Sequence, residues 1–304
     1  MVNKHGVAKT AATADNPAQW VSKYGSVTFN QYGREFPLGG MNEAGLIIEI
    51  MWLEQTEYPH PDARKAVPDL QWVQYQLDNA ATVADVIASD KTLRIAIRNA
   101  APIHFLVCDR TGQAAAIEFL EGTMVVHTQE TLPATALTNN TYAYCLRLFN
   151  IFNGDESGEA FDAADNSLKR FVWAAQGVQN WNPKTSGAPI DYAFGLLDKV
   201  SSRITMFRIV YDVGNRRIHY RTKSNPAQRY IDIDAFDYSC TTPVKILDIA
   251  SGDGNVTTDF VDYSYEANYE LISKSYAGTN FLNAISEEVK QQVAKYPETL
   301  PCTQ

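Results

Sequence analysis

Gly40-Met41-Asn42-Glu43-Ala44-Gly45-Leu46 runs directly into Ile47-Ile48-Glu49-Ile50-Met51-Trp52-Leu53. Two glycines bracket a tight entry, and Asn42 can supply side-chain hydrogen bonds to the turn backbone. The stretch Gly45–Leu53 that follows is almost continuously apolar, which suits a strand covered on both faces. Upstream, Ser26–Gln31 alternates and is rich in β-branched residues, so it reads as a further strand.

Downstream, Asp69–Ala80 places Leu70, Val73 and Leu77 on one stripe of a helix. Thr82–Ser89 opens with Thr-x-x-Asp, a capping signal for a second, short helix. Strands are predicted at Leu93–Ile97, His104–Asp109, Ala114–Leu120 and Met124–Thr128. Turns at Arg110–Gly112 and Glu121–Gly122 make the last three a meander. Helices are then predicted at Tyr142–Phe152, Ser167–Trp181 and Asp191–Val200, a hairpin at Met206–Thr222, and an amphipathic helix at Phe281–Tyr296 with Leu282, Ile285, Val289 and Val293 inward. Residues 257–274 are ambiguous. Residues 55–68, with three prolines, and 153–166 read as long surface excursions within one domain. Strands joined by hairpins as often as by helices argue for an α+β chain: antiparallel sheets with helices packed outside.

The 304 residues carry 26 lysines and arginines against 35 acids, a net charge of −9. The densest basic stretch, Arg216, Arg217, Arg221 and Lys223, falls on the predicted hairpin and reads as a solvated strand face, so nucleic acid is not an expected partner. No apolar run is long enough to span a bilayer, and Met1–Gly6 holds no apolar signal core, so the chain as it begins would stay in the cytoplasm. A periplasmic location would need an upstream segment. Cys108, Cys145, Cys240 and Cys302 form no CxxC pair, and no metal site or cofactor is expected. Cys240 and Cys302, in polar segments, could pair in an oxidising compartment.

GxSxG, P-loop, HExxH and GxGxxG motifs are missing. The five histidines include His104 and His127 on predicted strands and His219 on the hairpin. Each reads as a sheet residue, and His104 and Cys108 lie about 13 Å apart along a strand, too far for proton transfer. Asn139, in Ala136-Leu137-Thr138-Asn139-Asn140, either caps the next helix or aims its amide at a site. Arg170, early in a helix, opposes the helix dipole.

Taken in series, Gly-x-Asn-Glu-x-Gly-Leu, Thr138-Asn139, Ser167–Phe171 and the Thr205–Tyr211 strand with Asp212 resemble the choloylglycine hydrolase family, which includes bile salt hydrolases and penicillin V acylases. The resemblance runs from about Tyr24 to Thr222. It implies a four-layer αββα N-terminal-nucleophile fold with two antiparallel sheets, acting on a small-molecule acyl amide without cofactor or metal, and a homo-oligomer, commonly a tetramer, with residues 55–68 and 153–166 as candidate contact surfaces. In that family an N-terminal cysteine attacks the amide and its own amine takes the proton. The resemblance further implies that the Asn139 amide and the Trp52 backbone N–H receive the oxyanion, and that Arg170 biases the nucleophile. Val2–Val7 resembles the segment after the family's first hairpin, which would carry the nucleophile. The chain as it begins is therefore expected to lack covalent chemistry, either as a shortened amidase, which would expose a sheet edge, or as a non-catalytic acyl-amide binder. The Trp52 side chain would offer an apolar wall to an aromatic or fatty acyl group, or simply pack in the core.

Overall fold

The computed structural model describes residues 1–97, 100–152 and 159–303. In chain order its elements are β1 (Val2–Asn3), β2 (Ala8–Thr10), β3 (Gln19–Val21), β4 (Ser26–Asn30), β5 (Pro37–Asn42), β6 (Ile47–Trp52), β7 (Lys65–Val67), α1 (Asp69–Asn79), α2 (Val83–Ser89), β8 (Leu93–Ile95), β9 (Ile103–Cys108), β10 (Ala114–Leu120) and β11 (Thr123–Thr128). There follow α3 (Tyr142–Phe152), α4 (Glu159–Asp162), α5 (Asn166–Gln179), α6 (Pro189–Lys199), β12 (Phe207–Asp212), β13 (Arg217–Thr222), β14 (Arg229–Asp232), β15 (Lys245–Ile246), β16 (Gly254–Asn255), β17 (Val261–Asp262), α7 (Tyr265–Ala277) and α8 (Glu287–Lys295).

A large antiparallel sheet runs β11-β10-β9-β6-β5-β4-β1-β15-β17, and a smaller one runs β12-β13-β14-β16. Only the β14–β16 pair of the smaller sheet is parallel. Along β6 the side chains alternate between two cores, as a strand covered on both faces must. Ile48 points outward into a cluster with Trp72, Val73 and Leu77 of α1 and Phe105 of β9. Ile47 points inward, where Val27 and Met41 meet Ile218, Tyr220 and Ile231 of the smaller sheet. Met51, on the same inward face, packs on the cluster of Tyr142, Phe149, Phe171 and Val172 from α3 and α5. The smaller sheet is covered outside by α6, whose Phe194 lies 4.1 Å beneath the Arg221 guanidinium. The order is thus helix, sheet, sheet, helix: the expected αββα sandwich. Burying one aromatic such as Trp72 or Phe105 contributes about 2–3 kcal/mol.

The Gly40–Leu46 motif is not all turn. Its first three residues end β5, and the reversal is confined to Glu43–Gly45, with Gly45 in the left-handed region at φ +86°. Asn42, fully buried, accepts from the N–H groups of Ala44 at 3.0 Å and Leu46 at 2.9 Å. Its amide donates to the carbonyls of Leu77 and Ala80, both at 2.8 Å. One side chain therefore closes the hairpin and ties it to the C-terminal end of α1, because a buried amide must satisfy its donors.

The last helix differs from expectation. The Phe281–Tyr296 pattern is helical only from Glu287, where Ser286 caps the start by accepting from the Val289 N–H. Val289 is 40% exposed and Phe281 61% exposed, so neither is a core residue. Residues 257–274 resolve into a short strand and most of α7. Of the expected 153–166 excursion, residues 153–158 lie outside the described residues, and the remainder holds α4. Cys240 and Cys302 form a disulfide. No helix among the described residues is long and apolar enough to cross a membrane.

Candidate active site

Trp52 ends β6. The β6–β9 ladder sends alternate backbone groups to opposite sides, and the Leu53 N–H donates to the Pro102 carbonyl. The Trp52 N–H and C=O therefore face away from β9, toward the side where β5 has already ended.

Asn139 lies on that side. Its amide Nδ2 donates to the Trp52 carbonyl at 2.9 Å. The Arg170 Nη2 donates to the Asn139 Oδ1 at 2.7 Å. An amide Nδ2 carries two hydrogens, so one remains for a ligand. The backbone N–H of Asn139 donates to the Ser167 Oγ at 2.8 Å. The capping alternative for Asn139 is not what the structure displays: the first N–H of α3, on Tyr142, instead donates to the Glu118 carboxylate at 2.9 Å. Trp52, Asn139 and Arg170, far apart in sequence, thus form one hydrogen-bonded chain.

Arg170 projects from the first turns of α5, whose N-cap Asp165 accepts from the Leu168 N–H at 2.8 Å. The Arg170 Nε donates to the Asn166 Oδ1 at 3.0 Å. Burial draws the guanidinium below its usual range, while Asp165 acts against this. Asp165 also offsets the unfavourable position of a cation near a helix N-terminus.

The Trp52 indole, 40% exposed, borders an apolar groove of about 700 Å³ lined by Tyr32, Phe36, Leu70, Tyr276 and Phe281 among others. Its ring centroid lies 6.0 Å from that of Phe281. Asp69 also lines the groove. Burial raises its carboxyl above the usual range, against the pull of the Ala101 N–H that it accepts. A smaller cavity between β2, β3 and Tyr296–Pro301 contains none of these residues.

Two thiols are free. Cys145 is buried, 3.9 Å from the Thr138 Oγ1, and burial pushes it up to about 12. Cys108 is half-buried and likewise raised by burial. Both stay thiols near neutral pH, the form with little nucleophilicity. Among the described residues no cluster of metal-ligating side chains occurs.

One further set escaped the sequence reading. His104 and Glu118 are both fully buried. The His104 Nδ1 lies 3.0 Å from the Glu118 Oε1, and its Nε2 lies 2.5 Å from the Thr138 carbonyl oxygen. The signal was the hairpin itself: Ala114 pairs with Cys108 and Ile117 with Phe105, so His104 and Glu118 are mirror positions about the turn.

Comparison with known proteins agrees with this architecture. The chain is 24% identical over 262 residues to the penicillin V acylase of Pectobacterium atrosepticum, covering 73% of this chain and 69% of that protein. Penicillin V acylase from Agrobacterium tumefaciens superposes with a TM-score of 0.70 at 25% identity, covering 86% of this chain and 88% of the other. A variant of conjugated bile acid hydrolase from Clostridium perfringens shares the fold, with a TM-score of 0.62 at 16% identity over 78% of this chain and 85% of its own. Residues 11–180 match the model of the linear amide C-N hydrolases, choloylglycine hydrolase family, and with more than half its length so matched, the chain belongs to that family.

Proposed function

We propose that this protein acts on a linear amide whose acyl half is apolar, with the acyl group in the groove beside Trp52 and the carbonyl carbon near Asn139. The observation that carries the proposal is the Trp52–Asn139–Arg170 chain, whose Trp52 end lines that groove. In this reading the free hydrogen on the Asn139 Nδ2 and the Trp52 N–H receive the oxyanion of the tetrahedral intermediate. Donors held in place before reaction stabilise such charge without reorganisation. Arg170 holds the Asn139 amide so that its nitrogen, not its oxygen, faces the substrate. It also supplies positive charge that favours a thiolate at the reacting position. Aromatic acyl groups, as in penicillin V, and sterol acyl groups, as in conjugated bile acids, both suit the groove.

A second reading is favoured by the state of the thiols. Cys108 and Cys145 are both held protonated, so neither fits the role of nucleophile. In this reading the groove and the Asn139 amide bind acyl amides without cleaving them.

One experiment separates the two. Hydrolysis of penicillin V and of a glycine-conjugated bile salt is followed for this chain and for the chain extended at its N-terminus by a segment that starts with cysteine. Turnover by the cysteine-bearing form supports the amidase. Saturable binding of both amides with no turnover in either form supports the binder. Absence of both binding and turnover overturns the assignment of the groove.

A further inference from the structure

Between β9, β10 and the start of α3, a carboxylate and an imidazole are enclosed together, and the peptide they hold is the one that precedes the Asn139 side chain. His104 and Glu118 have no exposed surface. The Thr138 carbonyl oxygen can only accept, so the His104 Nε2, 2.5 Å away, carries a proton and donates it. The Glu118 Oε1 already accepts the Tyr142 N–H at 2.9 Å, at the start of α3. That oxygen lies 3.0 Å from the His104 Nδ1. The geometry thus places one proton on Nε2 and a second between Nδ1 and the Glu118 Oε1. Ring and carboxylate share one more proton than a neutral imidazole beside a carboxylate would hold.

The consequence lies one bond further on. The Thr138 carbonyl and the Asn139 N–H belong to the same planar peptide unit. His104 holds it by the oxygen at 2.5 Å, and Ser167 by the N–H at 2.8 Å. Ser167 is itself anchored, its hydroxyl donating to the Thr138 Oγ1 at 3.1 Å. A plane fixed at both edges leaves little freedom to the Cα that bears the Asn139 amide.

We propose that His104 and Glu118 form a positioning pair for Asn139, acting through the Thr138 carbonyl to keep the Asn139 amide aimed at the reacting carbonyl. This rests on the reading of Asn139 given under the proposed function. The pair does not touch substrate. Its role is to keep the donor within the few tenths of an ångström that oxyanion stabilisation requires.

The test has two independent arms. In the first, penicillin V hydrolysis by the cysteine-bearing protein is measured for His104→Ala, His104→Gln, Asn139→Ala and the His104→Ala/Asn139→Ala double variant. A donor displaced by about 1 Å lowers rate by roughly 10²-fold, so His104→Ala is expected to lower kcat by about 10- to 100-fold with little change in KM. Glutamine, whose amide can reach the Thr138 carbonyl, restores most of the rate. In the Asn139→Ala background the loss of His104 has no further effect, because its target is already gone. Losses that simply add in the double variant overturn the proposal. If His104→Ala does not fold, His104→Asn, whose amide stops short of Thr138, takes its place.

The second arm needs no activity. In ¹⁵N-labelled protein, His104 is expected to show a bonded proton on Nε2. The Asn139 side-chain amide resonances are expected to move in His104→Ala and return in His104→Gln. A His104 Nε2 without a proton, or Asn139 resonances indifferent to position 104, overturns the proposal. Loss of all turnover with the second arm intact counts against the amidase reading alone.

Discussion

The Asn139 amide donates to the Trp52 carbonyl at 2.9 Å across 87 positions of sequence. That bond joins the end of a central strand to the segment before α3 and brings a side-chain donor and a backbone N–H to one spot. Removing the side chain is the direct test of what the spot does. Asn139→Ala in the cysteine-bearing protein is expected to lower kcat for penicillin V by ~10²-fold or more while leaving the fold intact. Steady-state kinetics together with a thermal melt check this. A fully active alanine variant removes Asn139 from the site.

In the proposed reading Trp52 acts through both backbone and indole, and the two can be separated by substitution. Trp52→Ala keeps the N–H but removes the wall that the indole shares with Phe281. KM for penicillin V is expected to rise by roughly 10-fold or more, in line with the ~2–3 kcal/mol that burying a large apolar side chain contributes. The kcat is expected to change much less. A comparison of acyl chains of graded size tells whether the loss follows apolar area. A fall confined to kcat would mean that the side chain supports the oxyanion donors instead.

Glu49 sits on the inward face of β6 with the Tyr211 hydroxyl donating to its Oε1. Burial raises its carboxyl from the ordinary 4.5 to about 7, with the Tyr211 bond opposing the rise. Between those values the folded protein holds a proton that the unfolded chain has released, so this group's stabilisation is fully present below pH 4.5 and declines as pH rises to about 7. Glu49→Gln keeps the acceptor for Tyr211 and removes the titration. Relative to the variant, the wild type is expected to lose up to about 3 kcal/mol between pH 5 and pH 8. Denaturant midpoints at the two pH values decide it, and parallel curves for the two proteins would place the Glu49 titration elsewhere.

The Cys240–Cys302 disulfide spans 62 positions. Closing a loop of that size restricts the unfolded chain by about 4 kcal/mol in the entropic account. Cys302→Ser is expected to lower stability by up to about that amount and to release the tail from the N-terminal segment. There the Ala8 N–H donates to the Pro301 carbonyl and the Thr303 N–H to the Gly6 carbonyl, at 2.9 and 2.8 Å. Faster hydrogen exchange confined to residues 6–8 and 300–303 marks that release, and unchanged stability in the serine variant would show that the backbone bonds suffice.

What the sequence made legible was local. The β6 run, the Thr82 capping box and the 103–128 meander follow from patterns a few residues long, and all are present. Two-residue strands such as β1, β15, β16 and β17 carry no periodicity of their own and exist because a neighbour offers its edge. The last helix starts later than its pattern predicts: an apolar repeat continues upstream of Ser286, but the serine cap sets the start, and Phe281 and Leu282 line the groove instead. At the site, Trp52, Asn139 and Arg170 came from family resemblance, and neither spacing nor composition would have joined them. His104 was seen as an ordinary strand residue, since its importance depends on Glu118 and Thr138 arriving from two other segments.

Gly39 and Glu49 face each other across the β5–β6 ladder. A Cβ on Gly39 would stand 2.5 Å from the carboxyl carbon of Glu49, inside any real contact distance. The bare backbone of one strand is therefore the seat of the other strand's acid. The atoms a Cβ would meet are the far end of a flexible side chain, so a larger residue at Gly39 would act by swinging that carboxyl out of its seat and off the Tyr211 hydroxyl, and not by splitting the hairpin. The empty space beside Gly39 thus works as a mould that sets where the acid rests.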